Sequence, residues 1–428
     1  MNKPRPTTTR MTGWRTTWAL MAFILVNFAD KTVLGLSAQP IMDDLHLTRQ
    51  EFGAASAAFF TLFSLAALGV SFLTRKVRTS VLLLAMAVLW SAAQLPMLWP
   101  AAGFTTLLLT RVLLGAAEGP ATPVAMHHLH GWFAQEERTL PTAVVLTGAA
   151  AGVAVAAPVL TLVIAHFGWR WAFGVVGLVG LVWAAYWMPR GTEGPHAVPT
   201  TAESTTDQPQ TVPYRRILFT GTFATVAFGA FAAYWILSSS LTWIPDYLTE
   251  VAGLSLQQAG ILVTAGALAG GIVLLSHGLY VRRRTTPGAG WGGGVALCVT
   301  AVAVALFALT DILWVKVVLM LGPMAFANII MTVAQTACSR IAPTAQRGVV
   351  LGILAGVFAL AGILAPWSIG RIVDTADTVA DGYRTAFLAT AALTAAAGLL
   401  ATCFLRPERD ARRLQTATTA GRPETVSP

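Results

Sequence analysis

The chain has 428 residues, of which 55% are hydrophobic and only 11% charged, with a mean hydropathy of +0.66. Soluble domains carry about 25% charged residues, so this composition excludes a water-soluble globular protein and points to a chain that crosses a bilayer many times. The net charge of +9 is spread over many segments and not gathered on one face, which excludes a nucleic-acid-binding patch.

Apolar runs of about 20 residues, long enough to cross a bilayer, occur twelve times. Their limits are 17–38, 52–73, 80–98, 104–127, 140–165, 169–188, 217–240, 257–280, 291–310, 312–337, 347–372 and 384–405. The first follows Lys3, Arg5, Arg10 and Arg15 but has no small-residue cleavage site, so it reads as a retained helix and not a signal peptide. With the N-terminus placed inside, 21 of the 28 Lys and Arg residues fall on inside segments and 5 outside, leaving Lys31 and Arg111 within the membrane. That bias predicts a multi-pass cell-membrane protein with both termini cytoplasmic.

The stretch "PRGTEGPHAVPTTAESTTDQPQTVPYRR", residues 189–216, is rich in Thr, Pro and Gln and reads as a flexible cytoplasmic linker. It separates an N-terminal six-helix bundle, 1–188, from a C-terminal one, 217–405, and a cytoplasmic tail follows at 406–428. "GWRWAF" at Gly168–Phe173 recurs as "GYRTAF" at Gly382–Phe387, each between the fifth and sixth spans of its half. The expected fold is an all-α membrane protein of twelve transmembrane helices in two pseudo-symmetric six-helix bundles. Paired halves suit alternating access around a site near the midplane.

A charge at the bilayer centre costs roughly 2.5–3.5 kcal/mol on insertion scales, so the four that remain there need a reason. Asp30 and Lys31 sit in the first span, "LMAFILVNFADKTVLGLSAQP", and Arg111 and Glu118 in the fourth, "RVLLGAAEGP". Arg111 and Glu118 are two helical turns apart and face the same way. Two acids and two bases sum to zero. One reading is a pair of structural ion pairs locking the first and fourth helices; the other is a transport site, favoured because buried ion pairs rarely add net stability over apolar packing. No charge is expected within the spans of the second half.

"NFADK", "QPIMDDLHLTRQEFG", "RVLLGAAEGPATP", "GWFAQEER" and "FGWRWAF", with "LTWIPDYL" and "AGILAPWSIGRIVD" in the second half, resemble the anion:cation symporter branch of the major facilitator superfamily. The likeness runs over most of residues 20–405. It implies transport of organic anions, often with protons, with Asp30 and Glu118 as protonation sites and Arg111 and Lys31 serving the anion. The chain also departs from that branch: Lys31 stands where Arg is usual, Phe63 where Tyr is frequent, Leu146 where Asn is common, and Ala355 and Ala359 at usually polar positions. Lys lacks the planar fork that Arg offers a carboxylate. Loss of hydrogen-bonding positions argues for an anion less polar than a sugar acid, whose hydroxyls would go unpaired. The superfamily's acidic loop after the second span is eroded as well, since "GVSFLTRKVRTS", Gly69–Ser80, holds no Asp or Glu.

Asn27, Phe63, Trp235, Ser238, Asn328, Gln335, Ala355 and Ala359 are candidate pocket-lining residues, with helix–helix hydrogen bonding as the competing role for the polar ones. His127, His128 and His130 have no Cys or acid at metal-ligand spacing, so no metal is expected; no cofactor is implied. Gly148-x-x-x-Gly152 and Gly352-x-x-x-Gly356 are read as close helix contacts, Pro158 and Pro366 as helix bends. The expected function is proton-coupled uptake of a small organic anion by a non-enzymatic monomer, with Glu118 the main coupling acid and Asp30, beside its covalent neighbour Lys31, a second, partly structural one. Rival readings are a proton-driven antiporter exporting a lipophilic compound and an intramembrane enzyme or sensor; no "HExxH" or "GxSxG" pattern supports an enzyme.

Overall fold

The structure, a computed structural model, describes residues 7–73, 77–134, 137–196, 212–283, 290–343 and 346–419. Residues 197–211 of the expected linker and 420–428 of the expected tail lie outside the described residues. Among the described residues the chain is helical throughout, with turns and no strand. It opens with α1 (Thr7–Leu36), a short α2 (Ala38–Leu45), α3 (Arg49–Leu73) and α4 (Thr79–Gln94). Next come α5 (Phe104–Glu118), α6 (Ala121–His130), α7 (Thr139–Phe167), α8 (Trp169–Trp187), α9 (Tyr214–Leu218) and α10 (Gly221–Glu250). α11 (Leu256–Arg283), α12 (Gly290–Leu309), α13 (Leu313–Leu321), α14 (Asn328–Ile341), α15 (Arg347–Asp374), α16 (Val379–Phe404) and α17 (Pro407–Thr419) complete the order.

Each expected span coincides with a helix or a broken pair of helices, and among the described residues ten are long and apolar enough to cross a membrane by length and composition. The fourth span breaks at Gly119–Pro120, between α5 and α6, and the tenth at Gly322–Pro323, where a 3-10 turn (Pro323–Ala327) joins α13 to α14. Proline removes a backbone donor and crowds the preceding turn, so both breaks fall where the sequence places Gly-Pro.

The chain forms two compact units. The first comprises Met1–Glu203, Ser238–Gly271 and Ile363–Tyr383; the second comprises Ser204–Leu237, Ile272–Gly362 and Arg384–Pro428. In unit 1, α1 lies along α7, α3 along α5 and α4 along α8. A β-carbon at Gly148 or Gly152 would fall on the backbone carbonyls of Met21 or Leu25, so this small-residue pattern does set the closeness of α7 to α1. Phe23 sits 4.6 Å from Trp90 and 4.7 Å from Trp183. The indole N–H groups of Trp183 and Trp187 donate to the carbonyls of Ala19 (2.8 Å) and Ser80 (3.0 Å), as buried indoles require.

In unit 2 an apolar cluster around Ile217, Val226, Ala334, Val350, Leu354, Leu405 and Leu414 holds the ends of α10, α14, α15 and α17 together. Gln346 clasps the backbone of Val212 from both sides, accepting at 2.9 Å and donating at 2.7 Å. A β-carbon at Gly356 would meet nothing within 4 Å, so that position is no close helix contact.

One expectation is overturned here. The second half does bury charge within its helices: α10 continues past residue 240 to Glu250, placing Asp246 at 2% exposure, and Lys316 lies in α13 at 9%. The helix runs on through Leu241–Leu248, and Arg49 and Tyr383 receive the Asp246 carboxylate.

Candidate functional site

The four membrane charges form one network in unit 1. Asp30, Arg111 and Glu118 are essentially buried, and the Lys31 side chain is 11% exposed. Lys31 Nζ donates to Glu118 Oε2 at 2.5 Å, to Asn27 Oδ1 at 2.7 Å and to the Asn27 carbonyl at 3.2 Å. Three aromatic rings line the same ammonium, those of Phe28, Phe59 and Phe63, at 4.8, 5.5 and 6.0 Å. Asp30 and Arg111 are joined through Gln94, whose Nε2 donates to Asp30 Oδ1 while its Oε1 accepts from Arg111 Nη2, both at 3.0 Å. The Arg111 guanidinium lies 5.1 Å over the ring of Phe173, from "GWRWAF". Electrostatic interactions also link Asp30 to Glu118 and Arg111 to both carboxylates.

The pairing corrects the sequence argument on one point. Lys31 gives its hydrogen bond to Glu118 and acts on its covalent neighbour Asp30 only through its charge, because successive residues of a helix point about 100° apart and do not face each other. Gln94, buried in the last turn of α4, is the member that sequence reasoning missed. A single uncharged amide in an apolar span gives no periodic signal, and only a buried polar position in a charge-bearing half would have raised it.

Two glycines bring α5 to α3. A β-carbon at Gly115 would collide with the Phe59 carbonyl and one at Gly119 with the Phe63 carbonyl. Glu118, between them, is thereby pressed into the aromatic surround of Lys31. Not every polar atom is met. Among the described residues, Asn27 Nδ2 and Arg111 Nε are buried donors with no hydrogen-bond partner. Asp30 Oδ2 and Glu118 Oε1 are buried oxygens that no donor reaches while both acids are ionised, the two carboxyls being able to bond each other once one is protonated. Unpaired buried polar atoms are rare in native structures, and here donors and acceptors of this kind gather in one place.

A second polar cluster gathers the start of α3, the end of α10, the end of α15 and Tyr383 of α16. Arg49 Nε donates to Asp246 Oδ2 at 3.3 Å, and its Nη2 lies 3.9 Å from Glu250. Tyr383, from "GYRTAF", donates its hydroxyl to the same Asp246 oxygen. Asp374 accepts from the N–H groups of Arg49 (3.1 Å) and Gln50 (2.6 Å) at the start of α3. Around them, β-carbons at Gly35, Gly53 and Gly370 would collide with the carbonyls of Leu241, Pro366 and Arg49. Trp243 Nε1 donates to the Pro366 carbonyl at 3.0 Å, and Ser56 and Thr242 share a hydroxyl hydrogen bond of 2.8 Å. "LTRQEFG", "LTWIPDYL" and "APWSIGRIVD" thus converge on one seal.

At the start of α4, a carboxylate from the segment after α8 meets the first residues of the helix. Glu193 accepts from the N–H and hydroxyl of Ser80 and the hydroxyl of Thr79, all at 2.8–2.9 Å, and lies 3.5 Å from His128 Nδ1. Burial raises the Glu193 carboxyl, but hydrogen bonds with His128, Ser80 and Thr79 outweigh it and hold the group well below the usual carboxylate range. His128 is thereby a structural partner, 2.8 Å from Thr79 Oγ1.

The remaining candidates divide between the units. Asn27 and Phe63 belong to the charge network, and Ser238 is buried in unit 1. In unit 2, Trp235 Nε1 donates to Thr390 at 3.2 Å, Asn328 bonds the Ala325 carbonyl at 3.3 Å, Gln335 is exposed, Ala355 is half-buried and Ala359 is buried.

Comparison with known proteins agrees with the architecture. The chain is 28% identical to the hexuronate transporter of Bacillus subtilis over 90% of its own length and 92% of that protein. It is 26% identical to the D-galactonate transporter of Escherichia coli, over 60% of this chain and 64% of that one, and 28% identical to a probable sulfoacetate transporter of Cupriavidus necator, over 61% and 64%. Among solved structures, a bacterial homologue of the lysosomal transporter Spinster, inward-facing and unoccupied, superposes with a TM-score of 0.76 at 18% identity, covering 94% of this chain and 98% of that one. The D-xylose-proton symporter gives 0.72 at 14% identity, covering 91% and 97%. A family model described as the Major Facilitator Superfamily matches residues 19–366 and 295–427. Together with the helical, many-spanning fold, that match makes the chain a multi-pass membrane transporter and not an enzyme: it belongs to the Major Facilitator Superfamily.

Proposed function

We propose that the protein takes up a small organic anion together with protons across the cell membrane, by alternating access of its two six-helix halves, residues 1–188 and 217–405. The single observation that carries this reading is the charge network at Asp30, Lys31, Arg111 and Glu118, whose formal charges cancel and whose buried atoms are only partly paired. While both acids are ionised, an incoming anion meets no net positive charge. Protonating Glu118 releases Lys31. Protonating Asp30 loosens the hold of Gln94 and leaves Arg111 in excess. Each proton thus frees a cation for the anion, and proton and anion raise each other's affinity by the same factor. Glu118 is the main coupling acid; Asp30 also positions Gln94, and through it Arg111.

The named cargoes of the relatives, hexuronate, galactonate and sulfoacetate, support an organic anion. We propose a carboxylate of modest polarity, because Phe63, Leu146, Ala355 and Ala359 offer no hydrogen bonds. With both termini cytoplasmic, the Arg49–Asp246–Tyr383 seal faces outward and must open to admit substrate. One chain holds the whole charge network, so a monomer suffices.

The test is uptake into proteoliposomes of labelled hexuronate, galactonate, sulfoacetate and less hydroxylated carboxylates, with and without an inward proton gradient. At least one anion accumulates only with the gradient. Uptake of every anion indifferent to the gradient would sink the coupling. The second reading, a proton antiporter exporting a lipophilic compound, is favoured by the same apolar positions; there an inward proton gradient drives cargo out of the vesicle lumen.

A further inference from the structure

We propose that unit 2 carries a binding site for an anionic phospholipid headgroup, in a groove of about 860 Å³ between the start of α10 and the end of α16. Both helices are long and apolar enough to cross the membrane, so a groove at their ends lies at headgroup level. Four arginines line it: Arg216 from α9, Arg406 just past α16, and Arg409 and Arg413 from α17. Among the described residues, Arg216, Arg406 and Arg409 enter no ion pair.

Among the described residues one acid lines the groove, and it is committed elsewhere. Asp410 is buried and accepts from the N–H of Thr222 at 3.0 Å and from its hydroxyl at 2.7 Å, which caps the first turn of α10. The other charged side chains lining it are therefore the four arginines, and guanidinium groups offer the planar fork that suits phosphate oxygens. Phe219 and Phe404, 81% and 58% exposed, stand at the rim beside these charges. Arginine at headgroup level with exposed aromatic rings alongside suits a molecule that is anionic at one end and apolar at the other. A soluble phosphate ester would use only the first of these features.

The groove is also built to keep its shape. Leu414 and Ala411 pack α17 into the apolar cluster of unit 2, and Arg340 pairs with Glu408 at 3.7 Å. A cluster of basic residues directly after a membrane helix is a recurring means of holding anionic lipid.

The full chain, reconstituted in phosphatidylcholine bilayers with or without phosphatidylglycerol, tests this by its thermal unfolding midpoint. Phosphatidylglycerol raises the midpoint by about 2–4 °C, and glycerol phosphate in solution does not. The Arg406→Gln/Arg409→Gln variant loses the rise, and each single glutamine variant loses part of it, which keeps the reading available if the double variant does not fold. Arg190→Gln, which removes an exposed arginine from unit 1, keeps it in full. No rise in the parent protein, an undiminished rise in the Arg406 and Arg409 variants, an equal loss in Arg190→Gln, or a rise with glycerol phosphate alone each overturns the proposal, the last in favour of a soluble phosphate ester.

Discussion

Two charge clusters in unit 1, one almost wholly buried and one that reaches the surface at Asp374 and Glu250, handle their polar atoms differently. At the seal, Asp246 Oδ2 takes both the Tyr383 hydroxyl and Arg49 Nε, Asp374 caps two N–H groups of α3, and close backbone contacts at three glycines surround them. Only one Asp246 oxygen in that cluster is unmet. At the Glu118 centre, four buried atoms on four residues are unmet, and the pairs that do form run through a short Lys31 contact and an amide bridge. Each unmet buried polar atom costs about 1–3 kcal/mol. The seal is a nearly complete structure, whereas the centre holds unspent bonding capacity of both signs, which the proposed proton and anion would use.

The largest effect sharpens the centre's side of this contrast. Arg111→Gln abolishes anion binding, with a loss of about 2–5 kcal/mol as for truncating one partner of a buried charge pair, while the protein stays folded in the membrane. Binding of the cognate anion at unchanged affinity would remove Arg111 from the site. Lys31→Met likewise stops transport, whereas Lys31→Arg supports it.

Next in size is the separation of exchange from coupling. Glu118→Gln keeps anion counterflow but loses pH dependence and gradient-driven accumulation, because the amide permanently mimics a protonated carboxyl that has released Lys31. Asp30→Asn impairs counterflow and driven uptake together. Accumulation surviving in Glu118→Gln would move the coupling role to Asp30.

The seal can be broken from the other side. Tyr383→Phe and Asp246→Asn each remove hydrogen bonds worth about 1–3 kcal/mol where a charge takes part and shift the protein toward the state open at the Arg49 end. A cysteine placed at Ser56, which bonds Thr242 across the seal, should then react faster with a water-soluble maleimide. An unaltered labelling rate would mean that the backbone contacts alone keep this end shut.

Gln94→Leu tests the amide bridge. It leaves Asp30 and Arg111 facing each other without an intermediary, which lowers substrate affinity by about tenfold, or 1.4 kcal/mol, and shifts the pH profile of uptake; Gln94→Glu, adding a third acid, does more harm. A merely structural amide would change protein yield and leave the pH profile where it was.

The smallest effect concerns Glu193. Its folded carboxyl titrates below its unfolded range, so its contribution to stability is fully present above about pH 4.3 and is lost as the pH falls from there. Glu193→Gln removes that dependence. Hydrogen exchange at the Ser80 amide, corrected for its intrinsic pH dependence, should lose protection on acidification in the parent protein only.

Much of this molecule is legible in one dimension because a bilayer imposes a one-dimensional code. Each span must satisfy its own backbone and present some 20 apolar residues, so the helices, their order and the anomalous charges at Asp30, Lys31, Arg111 and Glu118 can be read directly. The breaks of the fourth and tenth spans, at Gly-Pro 119–120 and 322–323, are hidden within continuous apolar runs, and only the structure shows them. Partnership is another matter. That Lys31 turns to Glu118, that Gln94 joins Asp30 to Arg111, that Glu193 meets the start of α4, and that Asp246, beyond its apolar run, is buried against Tyr383 all depend on which helices lie side by side. A helix turns about 100° per residue, and the approach of α5 to α3 at Gly115 and Gly119 sets what each turn faces. Residue spacing records the turn of a single helix, and only the packed bundle decides what lies opposite.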